Sequence, residues 1–206
     1  LIIAETQTIA RQAAALVKVD YESLPHILTI EEAIAANSYI GDECKIEDGD
    51  VEDAMSKCDH VIEREARIGG QEHFYLETQT SLLVPGERGE MAVWSSTQNP
   101  TKTANFVAHV LGVHKNRVTC HMKRMGGGFG GKETRNVFIS MALAVAAKKT
   151  NKPIRIALDR DQDMSITGQR HPFLCKYKVG FNKDGKILAV NAALFSNGGC
   201  SLDLSR

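Results

Sequence analysis

The stretch Met125-Gly126-Gly127-Gly128-Phe129-Gly130-Gly131-Lys132-Glu133 decides how the rest of the chain is read. Five of the six positions from Gly126 to Gly131 are glycine, interrupted only by Phe129. Residues 117–124 before it read as a strand, and residues 133–149 after it read as a helix. A glycine in regular structure costs about 0.5–1 kcal/mol relative to alanine, so a cluster of them needs a reason. Tight packing of the helix on a sheet accounts for one or two. Five with an inserted aromatic point instead to bare backbone held close to a ligand. At a strand-to-helix junction, free N–H groups and the helix dipole favour oxyanions and phosphates. The loop is therefore expected to set backbone amides against an oxygen-rich, charged cofactor, with Glu133 turned to a substrate beside it.

Two short nucleotide motifs nearly fit. Gly126, Gly128 and Gly131 satisfy GxGxxG, and Asp159 ends the next strand. The preceding strand, however, runs Cys120-His121-Met122-Lys123-Arg124, which is too polar for the doubly covered first strand of a dinucleotide fold. Residues 126–132 also satisfy GxxxxGK, but the hydroxyl that should reach magnesium is replaced by Glu133. A carboxylate aimed at phosphates repels them, so nucleotide hydrolysis is set aside.

The chain has 206 residues, 43% hydrophobic and 24% charged, with formal net charge zero. That is enough for one domain and part of another. The charge balance gives no field for nucleic acid or anionic membrane, and no apolar run approaches a membrane span. Cys44, Cys58, Cys120, Cys175 and Cys200 are scattered, with no CxxC pair. This argues against a zinc site, an iron–sulfur site or a disulfide framework within these residues and fits a reducing cytosol. Leu1-Ile2-Ile3-Ala4 has no initiator Met, and Ser201–Arg206 carries no closing element. The expectation is an internal piece of a longer polypeptide.

Residues 1–4 and 17–21 read as strands around a helix capped by Thr6. Thr29 caps a second, short helix. Residues 37–53 are acidic and poor in core residues, so they read as a solvated linker; Asp48-x-Asp50-x-Glu52 lacks the rest of a calcium loop. Residues 61–68, 80–84, 91–95, 154–158, 174–181 and 186–195 read as strands. The last two are joined by the hairpin signal Asn182-Lys183-Asp184-Gly185. Thr101 is expected to cap a helix that stops at Gly112. Trp94 and Phe106 read as core, and Val137, Met141, Ala144 and Val145 as one helix face. His73, His121 and His171 sit on unrelated elements, which argues against a metal triad. Lys132 and Arg124 read as salt-bridge residues.

Longer motifs then coincide: residues 69–77 (Gly-Gly-Gln-Glu-His-Phe-Tyr-Leu-Glu), Ser96-Thr97-Gln98-Asn99, residues 123–135, and residues 163–173 (Asp-Met-Ser-Ile-Thr-Gly-Gln-Arg-His-Pro-Phe). In this order they closely resemble the molybdenum-binding part of the xanthine dehydrogenase family of molybdenum hydroxylases. The resemblance implies an α+β fold. Residues 1–42 would be the end of an α/β hammerhead domain, 43–60 a linker, and 61–206 the first part of a mixed-sheet domain binding molybdenum-molybdopterin. It implies that the parent oxidises hypoxanthine to xanthine and xanthine to urate with oxygen from water. Electrons would pass to 2Fe-2S clusters and FAD outside these residues, with NAD or O2 as acceptor, in a cytoplasmic or peroxisomal homodimer. The resemblance places Gln71 as an amide contacting a molybdenum oxygen ligand and Phe129 beside the metal's ligands. Gly128, Phe129 and Gly130 become backbone contacts to the cofactor, and Glu133 a purine-binding carboxylate. The closely similar aldehyde oxidases carry an apolar residue at the position of Glu133. An aldehyde oxidase, or a module that has lost the metal and only binds a partner, are the alternatives.

Overall fold

A computed structural model describes residues 1–205 of the chain. Its elements in order are α1 (Gln7–Ala15), α2 (Ile30–Ala35), α3 (Val51–Ser56), β1 (His60–Ile68), β2 (Thr80–Pro85), β3 (Met91–Ser95), α4 (Pro100–Leu111), β4 (Val118–His121), α5 (Arg135–Thr150), β5 (Ile154–Ala157), α6 (Arg160–Ile166), β6 (Phe173–Phe181) and β7 (Ile187–Ser196). The fold is α+β, with two separate sheets. Contacts divide the chain into two units, each made of two stretches: Leu1–Ser23 with Glu72–Gln169, and Leu24–Gln71 with Arg170–Arg206.

The first unit is built on a mixed sheet in the order β4-β3-β2-β5. β2 pairs antiparallel with β3 and with β5, while β4 runs parallel to β3. A parallel pair needs a crossover connection, and α4 supplies it. Asn99 Oδ1 caps α4 by accepting from Lys102 N–H at 2.9 Å. The cap is Asn99 rather than Thr101, because Pro100 already occupies the first helical turn with its φ preset. Gly112 ends the helix in the left-handed region at φ 66°.

The core of this unit lies between the sheet and helices α4 and α5. Leu83, Val93, Val107, Leu143, Ala144 and Ala147 are each fully buried there. Along β3, burial alternates so that Met91, Val93 and Ser95 face inward. Trp94 points to the other face and is 37% exposed, stacked on His121 with ring centroids 4.9 Å apart. Phe106 is likewise exposed, on the outer side of α4. Both were expected in the core; strand and helix periodicity put them on the opposite faces. Val145, expected on the buried face of α5, is also exposed, while Asn136, Ile139, Ser140 and Leu143 are buried.

Residues 1–4 and 17–21 form no strand. Leu16, Val17 and Tyr21 are exposed. Alternation makes a strand only where a partner edge satisfies its backbone, and no strand among the described residues pairs with these. The helix between them does form, with Thr6 Oγ1 accepting from Ile9 N–H at 3.2 Å.

The second unit is an antiparallel sheet, β1-β6-β7. Asn182 Oδ1 accepts from Asp184 and Lys186 N–H at 3.1 and 2.9 Å, which closes the expected hairpin between β6 and β7. Thr29 and Glu32 form a reciprocal capping box on α2. In the acidic stretch, Asp50 Oδ1 accepts from the N–H groups of Glu52 and Asp53 at 3.1 and 3.0 Å and so starts α3. Met55 on that helix is buried and meets Gly180 of β6, where a Cβ would lie 2.7 Å from its sulfur. Arg206 lies outside the described residues.

Replacing Leu143 by alanine removes a fully buried side chain from the first unit. The expected cost is about 2–5 kcal/mol, read from urea denaturation.

Candidate functional site

The loop is anchored on Tyr75, Glu77, Gln79, Ser96 and Gln98, none of which the motif itself contains. Glu77 Oε2 accepts from Gly126 N–H at 2.8 Å and from the Ser96 hydroxyl at 2.6 Å. It also pairs with Lys132 Nζ at 3.1 Å. Glu77 N–H returns a bond to the Gly126 carbonyl at 3.1 Å. At the far end of the loop, Gln98 Oε1 accepts from Gly130 N–H at 2.9 Å and Lys132 N–H at 3.2 Å.

This packing leaves no room for side chains. A Cβ at Gly126 would lie 2.4 Å from Glu77 Cβ, one at Gly128 2.6 Å from the Gln98 side chain, and one at Gly131 2.7 Å from the His73 ring. Close approach to the protein therefore explains these glycines, so packing accounts for more of them than the one or two expected. Gly130 is different. It has open space around it and a φ of +88°, so the left-handed turn requires it.

Beneath the loop lies a polar core. Lys132 is fully buried, with Nζ also bonded to Ser96 Oγ at 2.7 Å and 4.5 Å from the centre of the Tyr75 ring. Asp163, fully buried on α6, accepts from the Tyr75 hydroxyl at 2.6 Å, Gln79 N–H at 2.6 Å and the Thr167 hydroxyl at 3.2 Å. Gln79 Nε2 donates to the Gly131 carbonyl at 2.9 Å. Desolvation pushes the Glu77 carboxyl up, but the bonds from Ser96, Gly126 and Lys132 outweigh it and hold it below the ordinary carboxylate range. Burial lowers the Lys132 ammonium from its usual value, against the pull of Glu77. Burial, reinforced by the bond to Asp163, pushes the Tyr75 phenol up to about 12.

What this clamp leaves open is the arc at the top. The N–H groups of Gly127, Gly128 and Phe129 have no hydrogen-bond partner among the described residues. Phe129 sits in the left-handed region at φ 53° with its ring 73% exposed. That conformation costs a non-glycine residue on the order of 1–2 kcal/mol, and such strain gathers at functional sites. Glu133 follows, half-buried, and its carboxylate makes no hydrogen bond or ion pair among the described residues. α5 begins only at Arg135, so Glu133 stands ahead of the helix in the turn, not in its first helical turn. Gly128, Phe129, Gly130 and Glu133 thus share one loop. Gln71 belongs to the second unit, where its backbone pairs with Arg170 as an isolated bridge and its side chain is exposed.

Among the described residues no group of three or more His, Cys, Asp or Glu could hold a metal ion. A metal carried by an organic group that backbone amides grip would need no such cluster. The loop fits such a group: among the described residues it offers three adjacent unpaired N–H donors, an exposed Gln98 whose Nε2 is unpaired, and one unpaired carboxylate. Sequence reasoning missed Gln98, Glu77, Tyr75 and Asp163. All four lie within the motifs that carry the family resemblance. The Asp159-x-x-Gln162 capping pattern signals α6, in which Asp159 N–H donates to Gln162 Oε1 at 3.4 Å.

A family model described as "Molybdopterin cofactor-binding domain" matches residues 31–206. The chain belongs to that family. It is 57% identical over 206 residues to a protein of Rattus norvegicus named xanthine dehydrogenase/oxidase, covering 100% of this chain and 16% of that protein. It is 48% identical over 206 residues to aldehyde oxidase 2 of Cavia porcellus, covering 99% of this chain and 15% of that protein. The molybdopterin-binding chain thus spans about a sixth of the length of these relatives. Among solved structures, the aldehyde oxidoreductase of Desulfovibrio gigas superposes with a TM-score of 0.80 at 25% identity, over 94% of this chain and 22% of that one.

Two outcomes are expected. The folded state holds the Tyr75 proton more tightly than the unfolded chain does. Its contribution is therefore full below about 10 and is lost as pH rises toward about 12, so alkaline unfolding steepens across that window. Tyr75→Phe should remove this part of the alkaline limb. It should also cost about 1–3 kcal/mol at neutral pH by leaving Asp163 one donor short, read by denaturant titration.

Proposed function

We propose that this chain is part of a molybdenum hydroxylase that oxidises hypoxanthine and xanthine. The observation that carries this reading is the juxtaposition, on one loop of a molybdopterin-binding fold, of three unpaired amides and the unpaired carboxylate of Glu133. When bound, the molybdenum-molybdopterin group would supply the oxidising chemistry and a water-derived oxygen. The chain's own residues bind and orient. The N–H groups of Gly127, Gly128 and Phe129 donate to oxygens of the cofactor, and the exposed Phe129 ring gives a flat apolar wall beside it. Glu133 accepts from a ring N–H of the purine and so fixes how the ring lies beside the loop. An apolar residue at that position would do neither, which favours the purine reading over the aldehyde one.

The neutral-amide contact to a molybdenum oxygen is proposed for Gln71 by resemblance. The loop geometry favours a second reading, in which Gln98 makes it. Its oxygen is saturated by Gly130 and Lys132, so its amide nitrogen is left as a donor beside the open arc. Residues 1–42 are proposed as the end of a hammerhead domain and 43–60 as its linker. The parent protein is proposed to carry 2Fe-2S clusters and FAD, to use NAD or O2 as acceptor, and to work as a homodimer in the cytoplasm or peroxisome. No helix among the described residues is long and apolar enough to cross a membrane.

The test is elemental analysis for molybdenum and urate formation from xanthine, both on the full-length protein. A metal-free protein inactive on purines overturns the reading. Glu133→Val is expected to lower kcat/KM for xanthine by about 10- to 150-fold, the worth of a hydrogen bond to a charged group. Aldehyde turnover should change less, and unchanged purine kinetics would remove Glu133 from the site. Of the two glutamines, Gln98→Glu, which keeps the oxygen that clamps Gly130 and Lys132 and loses only the amide donor, should reduce turnover more than Gln71→Glu. The reverse order returns the amide role to Gln71.

A further inference from the structure

A single carboxylate oxygen holds both ends of the glycine loop. Gly126 opens the loop and Lys132 closes it, and Glu77 Oε2 binds the first through its N–H at 2.8 Å and the second through its ammonium at 3.1 Å. The Ser96 hydroxyl, at 2.6 Å, is the third donor to the same atom. Gly126 and Glu77 are joined in both directions, since Glu77 N–H donates to the Gly126 carbonyl at 3.1 Å. Between the two anchors, Gln98 takes Gly130 N–H and Lys132 N–H, and the Gly128 carbonyl takes Gly131 N–H at 2.8 Å. The remainder is the arc Gly127–Phe129, the only part of the run 126–132 whose N–H groups are unpaired among the described residues.

We propose that Glu77 is a positioning residue for the cofactor: by tying the first and last residues of the loop to one oxygen, it fixes the arc from which Gly127, Gly128 and Phe129 present their amides. This rests on the reading of the loop under Proposed function. The competing account is that Glu77 only neutralises the buried Lys132. Charge compensation needs one contact, and Glu77 Oε2 has three, two of them from uncharged groups. The competing account also makes a separable prediction, because a buried ion pair can be replaced by neutral groups of similar shape with little loss of stability.

The experiment uses the full-length protein and compares the parent with Glu77→Gln, the double variant Glu77→Gln/Lys132→Met, and Ser96→Ala. Molybdenum per protomer, the thermal unfolding midpoint, and kcat and KM for xanthine per bound molybdenum are measured for each. The double variant removes both charges together and with them the side-chain anchor at residue 132, leaving its backbone bond to Gln98. It is expected to unfold within about 5 °C of the parent, yet to hold about five-fold less molybdenum, with kcat per molybdenum lowered more than KM is raised. A double variant that keeps the parent's molybdenum content and kcat shows that Glu77 serves only to balance Lys132, and overturns the proposal. If the Glu77 variants do not fold, Ser96→Ala decides: it removes a donor to Glu77 and an acceptor of Lys132 while both charges stay, it should hold about two-fold less molybdenum in a normally folded protein, and parental content there overturns the proposal. A parent without molybdenum overturns the functional reading and this inference together, whereas a loaded parent with equally loaded variants overturns this inference alone.

Discussion

The ion pair between Glu77 and the fully buried Lys132 is the constraint on which the loop depends. Taking an ammonium out of water costs several kcal/mol unless it is paired and hydrogen-bonded. Here Glu77, Ser96 Oγ and the Tyr75 ring together supply what water would. Lys132 is the last residue before Glu133, so burying its side chain fixes the backbone at the point where the carboxylate of Glu133 leaves it. A neighbouring group of uncharged donors around Asp163 does the same for the other side, reaching the loop through Gln79 and the Gly131 carbonyl. The site is therefore supported from below by polar contacts, not by apolar packing. The apolar core between the sheet and α4 and α5 is a separate cluster.

The packing that keeps these glycines bare also decides which N–H groups of the loop stay open. Gly126, Gly128 and Gly131 are bare because Glu77, Gln98 and His73 press against them. That pressure consumes the N–H groups of Gly126, Gly130, Gly131 and Lys132 and leaves those of Gly127, Gly128 and Phe129. A strained, exposed Phe129 sits at the end of the same arc. The fold stores the cost of a left-handed aromatic there, and the clamps at either side hold it in place.

Failure of the nucleotide motifs has a matching structural cause. β4 is the short edge strand of its sheet, paired on one side only, so its polar sequence is tolerated. α5 begins two residues after Glu133, separated from β4 by the whole folded loop. The tight strand-turn-helix junction that a phosphate-binding motif needs is absent from these residues.

The α+β class came through the family resemblance, and the sequence by itself determined where most strands and helices lie. It could do so because alternation, caps and turn residues act locally: Thr6, Thr29 and Asn182 cap or turn their own neighbours. Tertiary structure alone decided what the loop rests on. Glu77, Gln79, Ser96 and Gln98 bond to it across 32 or more residues of chain, Tyr75 and Asp163 back them from below, and no local pattern announces a bond of that span. It also decided that the strand-like ends of residues 1–23 stay unpaired, because alternation specifies a face while only a neighbouring strand supplies the hydrogen bonds.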